Sequence, residues 1–209
     1  ETFLITESAN EKYFDSSVQM QRKSKNSYFI SDTLSQKISE TKNSQGVFAV
    51  CKMKNEKISL KTGQKYIALD NLQDPGNLGT VIRTAEALGI SSVIVGGGCD
   101  VFNPKVLRAS MGSVLRLDVF ECQSLAPVLQ KAKSLGIKTY ATSPDSSAKK
   151  INETQFPKSS LCVIGNEANG VSDEVMNICD ETVTIPMLGR AESLNAHVAG
   201  AIVMWEMLR

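Results

Sequence analysis

The sequence predicts an α/β fold, a parallel sheet with helices on both faces, and three observations predict it. From Tyr66 onward, short apolar runs alternate with stretches of helical periodicity, the pattern that crossover helices between parallel strands impose. Helical stretches close at Gly89 and Gly136, where a left-handed residue ends the last turn. Three connections, "DPGNLG" from Asp74, "GNEANG" from Gly165 and "GRAESLN" from Gly189, carry more glycine and polar residues than a plain strand-to-helix turn needs. They follow the first, fifth and sixth expected strands. Ligands of open parallel sheets bind beyond the carboxyl ends of the strands, so a site is expected there.

The front of the chain reads differently. Residues 1–62 are richer in Ser, Lys and Asn and poorer in long apolar runs. Segments 27–30 and 46–50 are expected as strands and 32–38 as a short helix capped by Ser31 or Asp32. Together they make a small or incomplete α/β unit, followed by a linker over 52–64.

Residues 63–209 form the main domain. Strands are expected at 66–69, 92–95, 117–120, 138–142, 161–164 and 182–185. Between them lie helices at 78–88, from Pro104 to Met111 or Gly112, at 125–135 and at 173–178, with a last helix at 193–208. Pro104 suits a first helical turn, where its missing N–H is not needed. Neither an internal repeat nor a low-complexity segment is present.

Composition narrows the function. The five cysteines, Cys51, Cys99, Cys122, Cys162 and Cys179, are an odd, widely spaced set with no CxxC pair and a single histidine, which supports neither a disulfide framework nor a zinc site. Reduced thiols in a cytoplasmic protein are expected. No run of about 18 apolar residues marks a membrane span, and the first residues lack the basic-then-apolar order of a signal peptide. The net charge of +1 decides nothing about nucleic acid. Residues 1–62 hold 10 Lys and Arg against 7 Asp and Glu, and residues 63–209 hold 13 against 15, so an RNA partner would meet the more basic half at the front.

Several residues break local rules. Asn166 and Glu167 directly follow the apolar run 161–164, where a polar pair is either solvated or serves a ligand. Gly76 and Gly79 flank Asn77 and are expected to let the backbone bend and approach something closely. Gly165 is expected to do the same, with Gly170 at a positive φ before a helix capped by Ser172. Arg83 falls in a helix face otherwise lined by Leu78, Ile82, Ala85 and Ala87. Near a helix start it opposes the macrodipole, so either an anionic ligand or a salt bridge to Asp74 or Glu86 is expected to offset it. Ser193, Leu194 and Asn195 open the last helix, whose Ala196, Ala199, Gly200 and Ala201 suit a close neighbour. His197 reads as an incidental helix residue. Gly96 to Gly98 do not form the GxGxxG order of a dinucleotide fingerprint.

Taken together and in this order, "NLGTVIRTAEALG", "VIGNEANGVS" and "IPMLGRAESLNAHVAGAI" resemble the three motifs of the SpoU (TrmH-type) RNA 2′-O-ribose methyltransferases of the SPOUT α/β-knot superfamily. The match is strong over 66–209 and weak before it. "YFISDTLSQKISETKNSQGVFAV" resembles the end of the small ribosomal-protein-like RNA-binding domain that often precedes the catalytic one, with its first elements missing.

The resemblance implies a C-terminal trefoil knot, a rare exception to the ordinary rules of chain connection. It implies S-adenosylmethionine as cofactor, held by Gly165, Ile185 and Leu194 with Thr142 and Met187 nearby, and no metal. Arg83 is implied to act on the ribose 2′-hydroxyl, as general base or as an orienting group; a guanidinium stays protonated in proteins, which favours the second. Asn77, Glu167, Ser193 and Asn195 match polar motif positions that keep Arg83, substrate and cofactor loop in register. The implied partners are ribosomal or transfer RNA and a second copy, a homodimer through the knot region. A non-catalytic RNA-binding module on the same fold is the alternative. A small-molecule enzyme using another nucleotide is disfavoured by the absent phosphate loop.

Overall fold

The computed structural model describes residues 1–53 and 57–209. Residues 54–56 of the expected linker lie outside the described residues. The chain divides into two compact units, Glu1–Asn55 and Glu56–Arg209.

The first unit runs β1 (Thr2–Ile5), α1 (Glu7–Lys12), α2 (Phe14–Lys23), β2 (Asn26–Phe29), α3 (Asp32–Ile38) and β3 (Val47–Val50). Strand β1 is central, parallel to β2 and antiparallel to β3. Phe3 and Ile5 alternate onto one face and meet Ala9 in a small core, the period-2 consequence of a pleated strand. The Ser31 hydroxyl caps α3 by accepting from Leu34 N–H at 3.2 Å. Elements β1, α1 and α2 have no counterpart in the sequence reading. Each helix buries a single small residue, Ala9 or Ser17, so no apolar stripe announces them.

The second unit runs β4 (Lys65–Asp70), α4 (Pro75–Leu88), β5 (Ser92–Gly96), α5 (Pro104–Ala109), β6 (Asp118–Cys122), α6 (Ala126–Ser134), β7 (Lys138–Thr142), β8 (Lys149–Lys150), β9 (Ser160–Ile164), α7 (Asp173–Ile178), β10 (Glu181–Thr184) and α8 (Ala196–Leu208). Seven strands form one sheet in the order β6-β5-β4-β9-β7-β10-β8, and every pairing is parallel. The expected parallel sheet is therefore present. Strand β8, two exposed lysines, carries no apolar signal and was not foreseen.

Helices cover both faces. Ile67, Leu69, Val93, Cys162 and Ile164 meet α4 and α8 residues such as Leu78, Val81, Ile82, Val203 and Met204 on one side. Tyr66, Ala68, Ile94, Leu161 and Val163 meet Val128, Leu129 and Val175 on the other. Each fully buried aliphatic side chain contributes about 1.5–3 kcal/mol as an upper figure. Gly200 of α8 comes close to Val81 of α4, where an added Cβ would sit 3.5 Å from Val81 Cγ2.

Three boundaries differ from expectation with consequences for the site. Helix α4 begins at Pro75 rather than at 78, because Asp74 caps it: its Oδ1 accepts from Asn77 N–H at 2.8 Å. Gly76 and Gly79 thus lie inside the helix. A Cβ on Gly79 would stand 2.5 Å from Ala109 Cβ and 2.7 Å from Val106 O, so this glycine serves the α4–α5 contact instead of a ligand. Helix α5 stops at Ala109, where Met111 and Gly112 at φ 50° and 83° turn the chain into a short 3-10 segment. Helix α8 begins at Ala196 rather than at Ser193, with Asn195 as its cap. Among the described residues, no helix is long and apolar enough to cross a membrane.

Candidate active site

Strands β4, β9, β7 and β10 are neighbours in the sheet and all point the same way, so their carboxyl ends deliver the loops that follow them to one edge. Beyond that edge lies a cavity of about 340 Å³, within the size range of small-molecule sites. Thr142, Gly165, Ile185, Met187 and Leu194 all line it, as do Glu167 and Ser193. Asn77, Arg83 and Asn195 do not.

The loop after β9 is held by polar contacts to the loop after β4. Asn166 Nδ2 donates to Asn71 O at 2.8 Å, and Ser172 N–H donates to Asp70 Oδ2 at 2.8 Å. Ser172 is thus anchored through its backbone, and its side chain makes no cap bond to α7, contrary to expectation. Asn166 and Gly170 pair by two backbone hydrogen bonds, at 2.8 and 3.0 Å, and Gly170 has φ 69°.

Gly165 has a different use from the one its sequence context suggests. A Cβ there would stand 2.1 Å from Gly170 C and 2.2 Å from Val171 N. The close approach is to the loop's own returning backbone.

Glu167 is the hub of the second connection. Its Oε1 accepts from Asn77 Nδ2 at 2.9 Å and from Asp74 N–H at 3.2 Å, while Oε2 accepts from Gln73 N–H at 3.2 Å. Partial burial pushes its pKa up, but these donors outweigh that and hold it below the ordinary glutamate value. Asp74 is likewise held low, first by the backbone N–H of Asn77. Asn77 is buried, and its Oδ1 lies 3.0 Å from His197 Nδ1.

His197 is therefore not incidental. It joins α8 to α4 and, through Asn77, to Glu167. The signal that could have found it is its place two residues after Asn195, within the third motif. Asn195 acts as the helix cap, its Oδ1 accepting from His197 N–H at 2.9 Å.

Arg83 stands apart. It is exposed, and the buried face of α4 comprises Leu78, Val81, Ile82 and Ala85; Arg83 and Ala87, one turn apart, share the outer side. Because α4 starts at Pro75, Arg83 lies past its middle and opposes no dipole. The salt bridges considered for it are absent: Asp74 pairs with Lys105 at 3.7 Å and Glu86 with Arg116 at 3.1 Å. Among the described residues Arg83 has no hydrogen bond or ion pair.

The donor set around the cavity combines apolar Ile185, Met187 and Leu194 with main chain over 185–195 that forms neither helix nor strand. This suits a ligand with an apolar or aromatic part read by backbone groups, and lacks the glycine-rich helix start that grips pyrophosphate. Fold and site together define a parallel α/β protein with a cavity in the loops at the carboxyl ends of its central strands.

Comparison with known proteins places it more closely. Residues 64–205 match the model of the SpoU rRNA Methylase family, and the chain belongs to that family. It is 36% identical over 181 residues to the Bacillus subtilis protein 23S rRNA (guanosine(2553)-2′-O)-methyltransferase RlmP, covering 86% of this chain and 71% of that one. Its fold matches the crystal structure of the SpoU methyltransferase AviRb from Streptomyces viridochromogenes in complex with AdoMet, at a TM-score of 0.81 and 26% identity, over 100% of this chain and 82% of that chain. An AdoMet-bound rRNA methyltransferase from Sinorhizobium meliloti matches at 0.83 and 26%, over 99% and 78%.

Proposed function

We propose that this chain is an RNA methyltransferase that uses S-adenosylmethionine to methylate a ribose 2′-hydroxyl in ribosomal or transfer RNA. One observation carries the reading: Thr142, Gly165, Ile185, Met187 and Leu194, from three separate segments, surround a single cavity. Relatives whose names state 2′-O-methylation of rRNA, and AdoMet-bound structures of the same fold, support it.

When bound, S-adenosylmethionine would supply a methyl group on a sulfonium, with its own driving force: the C–S bond breaks to leave a neutral thioether as the bond to the ribose oxygen forms, and the hydroxyl proton passes to solvent. The work left to the protein is alignment, worth several powers of ten when reacting atoms are held in line. Ile185, Met187 and Leu194 offer apolar surface to the cofactor, and the backbone around Gly165 and over 185–195 offers donors and acceptors for its base. Glu167, fastened to Asn77 and to the Gln73 and Asp74 amides, keeps the 165–170 loop at the cavity wall. Ser193 faces the same space. Arg83, permanently protonated, orients the ribose hydroxyl and the adjacent phosphate with a planar fork of donors.

Arg83 does not line the cavity of its own chain, which supports an active site completed in a homodimer. The same reading makes the C-terminal segment a trefoil knot. Support for it comes from β9, which enters the sheet between β4 and β7, and from the chain beyond β10, which returns to seat α8 on α4. Residues 1–62 are read as part of an RNA-binding domain, and cytoplasmic RNA as the substrate pool. A binding-only module would have no use for the cavity.

Isothermal titration with S-adenosylmethionine, followed by transfer of a labelled methyl group to total ribosomal and transfer RNA, tests the proposal. Binding plus alkali-resistant ribose label is expected. Absence of cofactor binding overturns it.

A further inference from the structure

His197 is the single histidine of the chain, half-buried in the first turn of α8. Its contact with Asn77 at 3.0 Å and the Asn77–Glu167 contact at 2.9 Å fix one another's polarity. Glu167 also accepts from two backbone N–H groups, and an ionised carboxylate only accepts. Asn77 must therefore turn its NH₂ toward Glu167. Its carbonyl oxygen, which also only accepts, is left facing the imidazole. Nδ1 must therefore carry a proton, and in the neutral form of the ring Nε2 is the bare nitrogen.

We propose that His197 is a positioning residue for the methyl-transfer site: by donating Nδ1–H to Asn77 it locks the carboxamide toward Glu167 and ties the starts of α4 and α8 to the 165–170 loop. Each of the three sequence motifs contributes one member of this chain of contacts. Without the imidazole donor, Asn77 Oδ1 is left unpaired at a buried position, and the carboxamide can rotate away from the carboxylate. The cavity wall at Glu167 then loses its side-chain anchor to α4. The functional half of this inference rests on the methyltransferase reading; the arrangement of the proton does not.

Two experiments on the untagged full chain test it. With ¹⁵N-labelled histidine the spectrum contains one pair of ring nitrogens. At about pH 8, where an ordinary imidazole is neutral, the Nδ1 signal is expected to be the protonated one and Nε2 the bare one. The reverse tautomer overturns the proposal whatever the protein's activity.

The second experiment uses side-chain geometry. In His197→Asn the amide nitrogen falls where Nδ1 was, in His197→Gln it falls near the position of Nε2, and His197→Leu has no donor. S-adenosylmethionine affinity is expected to fall on the order of tenfold in the Leu and Gln variants and to stay within about twofold in the Asn variant, the scale of one lost hydrogen bond. Melting temperatures read on the same samples separate site geometry from global stability. Equal affinities in all three variants overturn the proposal, and so does an Asn variant as weak as the Gln variant. A wild type that binds no S-adenosylmethionine sinks the methyltransferase reading instead, and the nitrogen spectrum still decides the His197 arrangement.

Discussion

Asn77 Nδ2 donates to Glu167 Oε1 at 2.9 Å across 90 residues of sequence, joining the first turn of α4 to the loop after β9. Because Glu167 takes two more donors from the backbone of Gln73 and Asp74, its carboxylate organises the wall of the cavity. Glu167→Gln replaces one acceptor oxygen by an NH₂ that must face a backbone or side-chain donor. A loss of about 1 kcal/mol in stability is expected, together with a roughly tenfold weaker S-adenosylmethionine affinity. Thermal melts and titration calorimetry on one preparation measure both, and unchanged affinity would remove Glu167 from the site.

Arg83 offers the sharpest separation of stability from chemistry. Since it bonds to nothing among the described residues, Arg83→Ala is expected to leave the melting temperature and cofactor affinity unchanged. Methyl transfer should fall by on the order of 100-fold, the scale of lost positioning or acid–base help. Arg83→Lys should not restore it, because an ammonium cannot present two parallel donors to one oxyanion. Single-turnover transfer measures the loss, and a Lys variant near wild-type rate refutes the bidentate role.

If the close approach at Gly165 were to a ligand, as its sequence context suggests, a valine there would cost only cofactor binding. The 2.1 Å approach of an added Cβ to Gly170 C predicts otherwise. Gly165→Val should lower the melting temperature as well as abolish binding, since the 165–170 loop must open. Ala199→Leu is the cleaner obstruction, because Ala199 lines the cavity from α8 without backbone conflict. It should weaken S-adenosylmethionine binding with little change in melting temperature, and tight binding by this variant would argue against the cavity.

The surface of α8 bears on the proposed homodimer. Val198, Trp205 and Leu208 are exposed there, Trp205 at 62%, although the helix is apolar on nearly every side. Sedimentation is expected to show a homodimer at micromolar concentration, and Trp205→Glu to shift it toward monomer. The chain has one tryptophan, so its fluorescence reports dilution directly. A wild-type monomer counts against the shared active site.

Acid should weaken the fold in a defined window. Asp180 is pushed up by burial, but its bonds to Thr139 and Lys133 outweigh that and leave it below its ordinary value; Glu167 and Asp74 are also lowered. Groups depressed in the folded state contribute fully above their unfolded values and lose that contribution as pH falls through the folded ones. Urea-unfolding midpoints are expected to be flat with respect to these groups down to about pH 4.5 and to decline below it. Asp180→Asn should lessen the decline, and a parallel curve would show that Asp180 is not among the groups responsible.

The parallel sheet and most of its helices were legible in the sequence because strands buried on both faces read as unbroken apolar runs, and the helices between them end at Gly89 and Gly136. Three motifs, read jointly, pointed to one site. Other features were invisible for physical reasons. Lys149 and Lys150 pair with β10 with no apolar side chain to announce a strand, and α1 and α2 bury too little to show a stripe. The starts of α4 and α8 depended on whether Asp74 and Asn195 fold back onto backbone N–H groups, which several polar neighbours could equally do. Sequence placed Arg83 in an apolar face with carboxylates in reach; packing turned it outward and gave Asp74 and Glu86 to Lys105 and Arg116. It treated Gly165 as a door to a ligand, while the returning chain at Gly170 fills that space. His197 looked incidental because its partner lies 120 residues earlier. The residue types of the site are written in the chain, but which oxygen faces which nitrogen is decided only when parallel strands bring distant loops to one edge of the sheet.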